Sequence, residues 1–251
     1  MRFTRTILAA ATIVALAAGA ASAADKIKIG TEGAYPPFNN LEADGTLVGF
    51  DVEIAKALCE EMKADCEFVT QDWDGIIPAL QAGKFDAIIA SMSITDERKE
   101  QVDFTDPYYT NSLVFAAPKN TELKDNSPES LSGKTIGVQE GTIAAEFLEK
   151  NYPDTEVKAY PTQLEVYSDL ENGRIDGALA DFGVLYEFLN SDEGKDYAFF
   201  GDAVSSDDKI GIAIRKGETE LADKFNTALK AIRENGKYEE INKKYFPFDI
   251  F

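Results

Sequence analysis

Arg98 and Asp181 are the residues whose types and settings could hold opposite charges in one place. Arg98 follows a hydroxyl-rich turn, with Ser91, Ser93 and Thr95, that comes directly after the apolar run 87–90. Such a run reads as a buried parallel strand and Thr95 stands where a helix N-cap belongs, so Arg98 falls in a first helical turn. That turn lies at a strand's carboxyl end, where open α/β sheets place their ligands. A planar guanidinium beside unpaired backbone N–H groups is a trap for a carboxylate. A lone arginine in a charged run is otherwise an ordinary surface residue; the two serines before it and the repeat that follows raise Arg98 above that.

The neighbourhood occurs twice. LQAGKFDAIIA from Leu80 overlays LENGRIDGALA from Leu170, each a helix end, a glycine stop, a basic residue and a short apolar strand. At the same spacing Ile76 and Ile77 match Val166 and Tyr167, and strand 67–70 matches 157–160. Upstream, 26–30 and 134–137 each end in Ile-Gly. Several matches in one order predict two βαβαβ units, hence two similar α/β lobes on mostly parallel sheets. Ser91 and Asp181 then end equivalent strands. If the lobes face each other, both ends meet in one cleft and Asp181, opposite Arg98, becomes a candidate for an ammonium group rather than a helix cap.

Composition narrows the partners. The 251 residues can fill two lobes, and 44% hydrophobic content is enough for their cores. With 45 acidic against 25 basic residues the chain repels phosphate backbones, which argues against nucleic acid or an anionic membrane as partner. No histidine and two cysteines exclude His-based triads and His or Cys metal clusters, so most hydrolase and zinc chemistry drops out; no catalytic residue, metal or cofactor is assigned. Residues 1–23 read as an export peptide: Arg2 and Arg5, an apolar stretch over 7–18, then Ala21-Ser22-Ala23 as cleavage site. Export to an oxidising compartment suits a disulfide between Cys59 and Cys66, which stand at a helix end and the next strand's start.

Helices are expected over 50–62, 142–150, 184–190, 220–235 and 238–245, and strands over 67–70, 108–118, 197–200 and 210–214. The stretch 35–48, with Pro36, Pro37, Asn39, Asn40 and Gly45, has loop chemistry. Residues 120–133 read as a loop with a short helix at most, and 205–209 as polar and flexible. Strand-like crossings near 109–113 and 206–211 are hinge candidates, dividing the chain after the export peptide into 24–110 with 209–251 as one lobe and 111–208 as the other.

A series of motifs spans essentially the whole mature chain: IGTEGAYPPF (29–38), LVGFDVEIAKALCEEM (47–62), WDGIIPALQAGKFDAIIASMSIT (73–95), Glu97-Arg98, VDFTDPYY (102–109), GVQEGT (137–142), YSDLENGRIDGALAD (167–181) and NGKYEEINKKYFPFD (235–249). In these the chain resembles the periplasmic solute-binding proteins of polar amino-acid ABC importers, solute-binding protein family 3, most closely the lysine/arginine/ornithine and histidine binders.

This resemblance implies a two-lobed type II periplasmic binding protein fold, monomeric, that closes on one free L-amino acid and is then recognised by permease subunits. By position, Arg98 would bind the α-carboxylate with help from Ser93 and from Thr142 beside Gly141, and Asp181 and Ser91 would hold the α-ammonium. Tyr35 and Trp73 would flank the side chain and Glu32 would reach its far end. The chemistry of a cationic side chain asks for the same parts, flat aromatic faces and a terminal anion. Ala90 stands where these binders carry another serine, Glu32 where a shorter aspartate is common, and Ile143 and Ala144 where polar residues often assist; 205–209 looks several residues shorter. Arginine, lysine, ornithine, histidine, glutamine and opine-type derivatives all remain open as ligands. The alternative from another class is a cleft enzyme of the same fold, cyclohexadienyl dehydratase-like, using Glu32 or Asp181 as general acid or base.

Overall fold

A computed structural model describes residues 25–123 and 125–251; the export peptide expected over 1–23 lies outside them. The chain runs β1 (Lys26–Thr31), β2 (Ala34–Tyr35), β3 (Asn39–Leu41), β4 (Leu47–Val48), α1 (Phe50–Met62), β5 (Asp65–Thr70), α2 (Ile76–Gln81), β6 (Ala87–Ile88), α3 (Asp96–Gln101) and β7 (Val102–Phe104). It continues through β8 (Tyr109–Pro118), β9 (Thr135–Gln139), α4 (Ile143–Asn151), β10 (Glu156–Tyr160), α5 (Gln163–Glu171), β11 (Gly177–Asp181), α6 (Phe182–Asn190) and β12 (Tyr197–Ile210). It ends with β13 (Ala213–Arg215), α7 (Thr219–Glu234) and α8 (Lys237–Tyr245).

Two five-stranded sheets result, ordered β5-β1-β6-β13-β7 and β10-β9-β11-β8-β12. The first three strands of each are parallel and the remaining pairings antiparallel. Each sheet carries helices on both faces, as two α/β lobes require. Among the described residues no helix is long and apolar enough to cross a membrane.

The sequence repeat has a physical basis. Ile29 pairs with Ala87 in the first sheet and Ile136 with Gly177 in the second, so the two lobes superpose in register. Gly83 and Gly173 end their helices at φ 74° and 65°, a conformation that costs glycine nothing. The chain then turns in, and Asp86 Oδ2 accepts the Lys28 amide at 2.8 Å just as Asp176 Oδ2 accepts that of Thr135 at 2.8 Å. Phe85 lies over Gly30 and Ile175 over Gly137; a Cβ on either glycine would come within 2.5 Å of that side chain. The expected match of 67–70 with 157–160 is one residue out, because Ile29 pairs with Phe68 and Ile136 with Val157. A slip along a parallel strand exchanges its faces, which a repeat in helix ends cannot detect.

Three further expectations are corrected. The stretch read as loop over 35–48 holds a small antiparallel sheet, β2-β3-β4. Its strands are too short to show alternation, and its turn is closed by Asp44 Oδ1 accepting the Thr46 amide. Residues 205–209 are not a flexible stretch but strand, as the strand-like crossing expected over 206–211 implies: Asp208 pairs with Asn111 and Lys209 with Thr110 across β8. Polar side chains there reflect a two-stranded ribbon with little core beneath it. The strand expected over 210–214 is broken after Ile210, and β13 begins at Ala213. The disulfide Cys59–Cys66 is present, with an S–S distance of 2.00 Å.

Candidate functional site

β8 and β12 are the two strands that pass between the sheets, and the carboxyl ends of β1, β6, β9 and β11 converge beside them on one cavity. The cavity spans about 300 Å³ of atom-free space, part of it open to solvent, and is lined by Glu32, Tyr35, Trp73, Ala90, Ser91, Ser93, Arg98, Gln139, Thr142, Ile143 and Asp181. Ten of the residues singled out in the sequence therefore stand together. Gly141 stands just behind, and Gln139 joins them.

Arg98 is held by the short helix α3, whose N-cap Thr95 accepts the Arg98 amide at 3.1 Å. Its guanidinium donates from Nη1 to the Ser93 carbonyl and from Nη2 to that of Gly141, each at 3.1 Å, and lies 5.2 Å from the centre of the Trp73 ring. Five N–H groups fan out from this fork, so donors remain for a carboxylate. Gly141 acts through its backbone, since its carbonyl also accepts Trp73 Nε1 at 3.0 Å. Two side chains from one lobe thus close on one carbonyl of the other.

Asp181 occupies the N-cap position of α6 yet makes no capping hydrogen bond. Its carboxylate points instead to Asn111, which donates at 2.8 Å, and to the Tyr35 hydroxyl. Burial, reinforced by the nearby charge of Asp208, raises its pKa to about 7. Glu32 follows β1 and accepts Gln139 Nε2 at 2.6 Å from the facing lobe; burial raises it to about 7 as well. Both acids are thus poised to ionise fully once a cation arrives.

The hydroxyls are less free than their spacing suggests. Ser91, at φ 54°, donates its hydroxyl to Asp51 Oδ2 at 2.9 Å rather than into the cavity. Asp51 is wholly buried in the first turn of α1, and also accepts Asn39 at 3.0 Å and the Tyr108 hydroxyl at 2.7 Å. This set holds the left-handed turn that a serine would not adopt unaided. Thr142 donates to the Gln139 carbonyl at 2.7 Å and caps α4 by accepting the Ala145 amide at 3.3 Å. Ser93 donates to Asp208 Oδ2 at 2.9 Å. Ala90 and Ile143 contribute apolar wall, and Tyr35 and Trp73 are both buried.

Gln139, Asp51, Asn111 and Asp208 carry no local signal comparable to the serines before Arg98. Gln139 alone was reachable, because continuing the match of Ile29 with Ile136 by three residues sets it on Glu32. Chemically the cavity offers a guanidinium at one place, a buried carboxylate at a second and another at a third, with aromatic faces between. It fits a molecule with one anionic and two cationic groups.

Comparison with known proteins points the same way. The model of the bacterial extracellular solute-binding proteins, family 3, matches residues 27–248. The L-arginine-binding protein of Pseudomonas aeruginosa is 48% identical, covering 91% of this chain and 91% of that protein. The lysine/arginine/ornithine-binding periplasmic protein of Escherichia coli is 37% identical, covering 98% of each. Among solved structures, an ancestral amino acid-binding protein that is a precursor of cyclohexadienyl dehydratase superposes with a TM-score of 0.82 at 33% identity, covering 88% of this chain and 95% of that one.

Proposed function

Because the chain belongs to the bacterial extracellular solute-binding proteins of family 3, we propose that it binds one free cationic L-amino acid between its lobes in the periplasm and presents it, as a monomer, to the permease of an ABC importer. The observation that carries this reading is the sharing of one cavity by Arg98, on α3 between two strands of the first sheet, and Asp181, which ends β11 of the second. The α-carboxylate belongs on Arg98 and the α-ammonium on Asp181. Glu32 takes the positive end of the side chain, with Tyr35 and Trp73 along its length. Each buried charge then meets an opposite charge in a site from which water is excluded.

Arginine, lysine and ornithine suit this arrangement, and arginine best, since a planar guanidinium can bond both Glu32 and the Gln139 amide oxygen. Divided contacts favour the closed form by the difference in affinity between closed and open states, and that form is what a permease recognises. A cleft dehydratase acting on a cyclic acid that lacks an amine would have no use for Asp181. A thermal-shift screen against the common amino acids and ornithine tests the reading, because a ligand at 100 times its dissociation constant stabilises by about 2.7 kcal/mol. Cationic amino acids should give the largest shifts. Turnover of prephenate or arogenate, or no shift with any amino acid, would overturn the reading.

A further inference from the structure

The strand β12 carries a carboxylate into the floor of the cleft. Asp208 is the cross-strand partner of Asn111, next to an irregularity in register that begins at Ser205. Asn111 Nδ2 donates to Asp181 Oδ1 at 2.8 Å and to Asp208 Oδ2 at 3.1 Å, and Ser93 Oγ donates to that same Oδ2 at 2.9 Å. An unbroken chain, Ser93, Asp208, Asn111, Asp181, therefore starts in one lobe, crosses both connecting strands and ends in the other. Ser93 and Asp181 line the cavity, while Asp208 stands behind them.

A serine hydroxyl has one hydrogen and two lone pairs. With its hydrogen directed to Asp208, the Ser93 hydroxyl can offer the cavity lone pairs only. The hydroxyl is then an acceptor, suited to an ammonium, and any help Ser93 gives a carboxylate falls to its backbone N–H. Asn111 likewise has both amide hydrogens engaged by carboxylates, one on each side. Every polar group on this floor is thereby turned to receive hydrogen bonds.

We propose that Asp208 is a positioning residue for the ammonium site, orienting the Ser93 oxygen as an acceptor so that the cleft requires an amine on its ligand. This rests on the amino-acid-binding reading above. The role is exerted through a hydrogen bond, so an asparagine, whose side-chain oxygen can still accept from Ser93, should serve in place of the aspartate, and an alanine should not.

Calorimetric titration of the full chain with L-arginine and with 5-guanidinopentanoate, which lacks only the α-amino group, tests this. Asp208→Ala should lower affinity for arginine about tenfold, roughly the worth of one hydrogen bond to a charged group, and change that for the des-amino acid less than about twofold. Asp208→Asn should restore arginine binding to within about threefold of the unaltered chain. Asp208→Val, which also lacks an acceptor and suits a strand, replaces the alanine variant if that one does not fold. Unchanged arginine affinity in the alanine or valine variant overturns the proposal. So does an equal loss for both ligands, which marks a purely structural role, or an asparagine variant as weak as alanine. If the unaltered chain binds no amino acid, the parent reading fails and this one with it; if it binds and the variants are silent, only the role of Asp208 fails.

Discussion

Glu32 and Gln139 occupy equivalent positions in the two lobes, each at the end of its sheet's second strand, and their side chains meet across the cleft at 2.6 Å. Replacing Glu32 by Gln should therefore weaken L-arginine binding by about 1.5–3 kcal/mol, the range for hydrogen bonds to charged groups, and L-glutamine binding by much less. Calorimetry against both ligands measures the difference; equal losses would remove Glu32 from the specificity of the site.

Arg98→Met and Asp181→Asn should each lower amino-acid affinity by about 3–5 kcal/mol, because each leaves one buried ligand charge without its partner. The unligated Asp181→Asn variant should melt no earlier than the unaltered chain, since Asp181 makes no helix cap, whereas Arg98→Met also gives up the bonds to the Ser93 and Gly141 carbonyls. Near-unchanged affinity in either variant would reject its assigned role.

Binding should strengthen as pH rises from 5 to 8. Burial raises Glu32 and Asp181 to about 7 in the folded chain, above their ordinary carboxylate values. The folded state therefore holds protons that the unfolded state has released, so the stability these groups contribute is full below the unfolded values and declines as pH climbs toward 7. A cationic ligand offsets that decline by favouring ionised acids. Titrations at pH 7 in buffers of different ionisation enthalpy should show protons released on binding, and an affinity independent of pH would contradict the assignment.

Asp51→Ala should destabilise the fold by about 3 kcal/mol, since it strands the donors of Asn39, Ser91 and Tyr108 in a buried site. Urea unfolding followed by far-ultraviolet circular dichroism reads this directly. A loss below about 1 kcal/mol would mean the Ser91 turn holds itself, against the cost expected of a left-handed serine.

Removing the disulfide by Cys59→Ser with Cys66→Ser should cost about 2 kcal/mol, the chain-entropy value for so short a loop. Because the bridge ties α1 to β5 at the far end from the cavity, arginine affinity should stay within about twofold. Chemical denaturation and calorimetry together separate these two outcomes.

The parts of the fold readable in the sequence are those governed by neighbours along the chain. Helix α1 spans Phe50–Met62, the bounds its apolar spacing predicts. The Gly83 and Gly173 stops, with the aspartates that follow, placed both inner strands. What escaped depends on partners far away in sequence. Asp208 accepts from Ser93, 115 residues distant, and from Asn111, 97 residues distant, and nothing in the string SSDDK distinguishes such an acid from a solvated one. The hydroxyls of Ser91 and Thr142 were visible as chemistry but not as geometry, since each is turned toward a local or buried acceptor that only the folded chain supplies.

Trp73 is the chain's one tryptophan, and its indole N–H rests on the Gly141 carbonyl across the seam between the lobes. Parting of the lobes must hand that N–H to water and shift the emission of the ring toward the red. The molecule thus carries its own optical gauge of closure, readable in a stopped-flow cell without any dye or label.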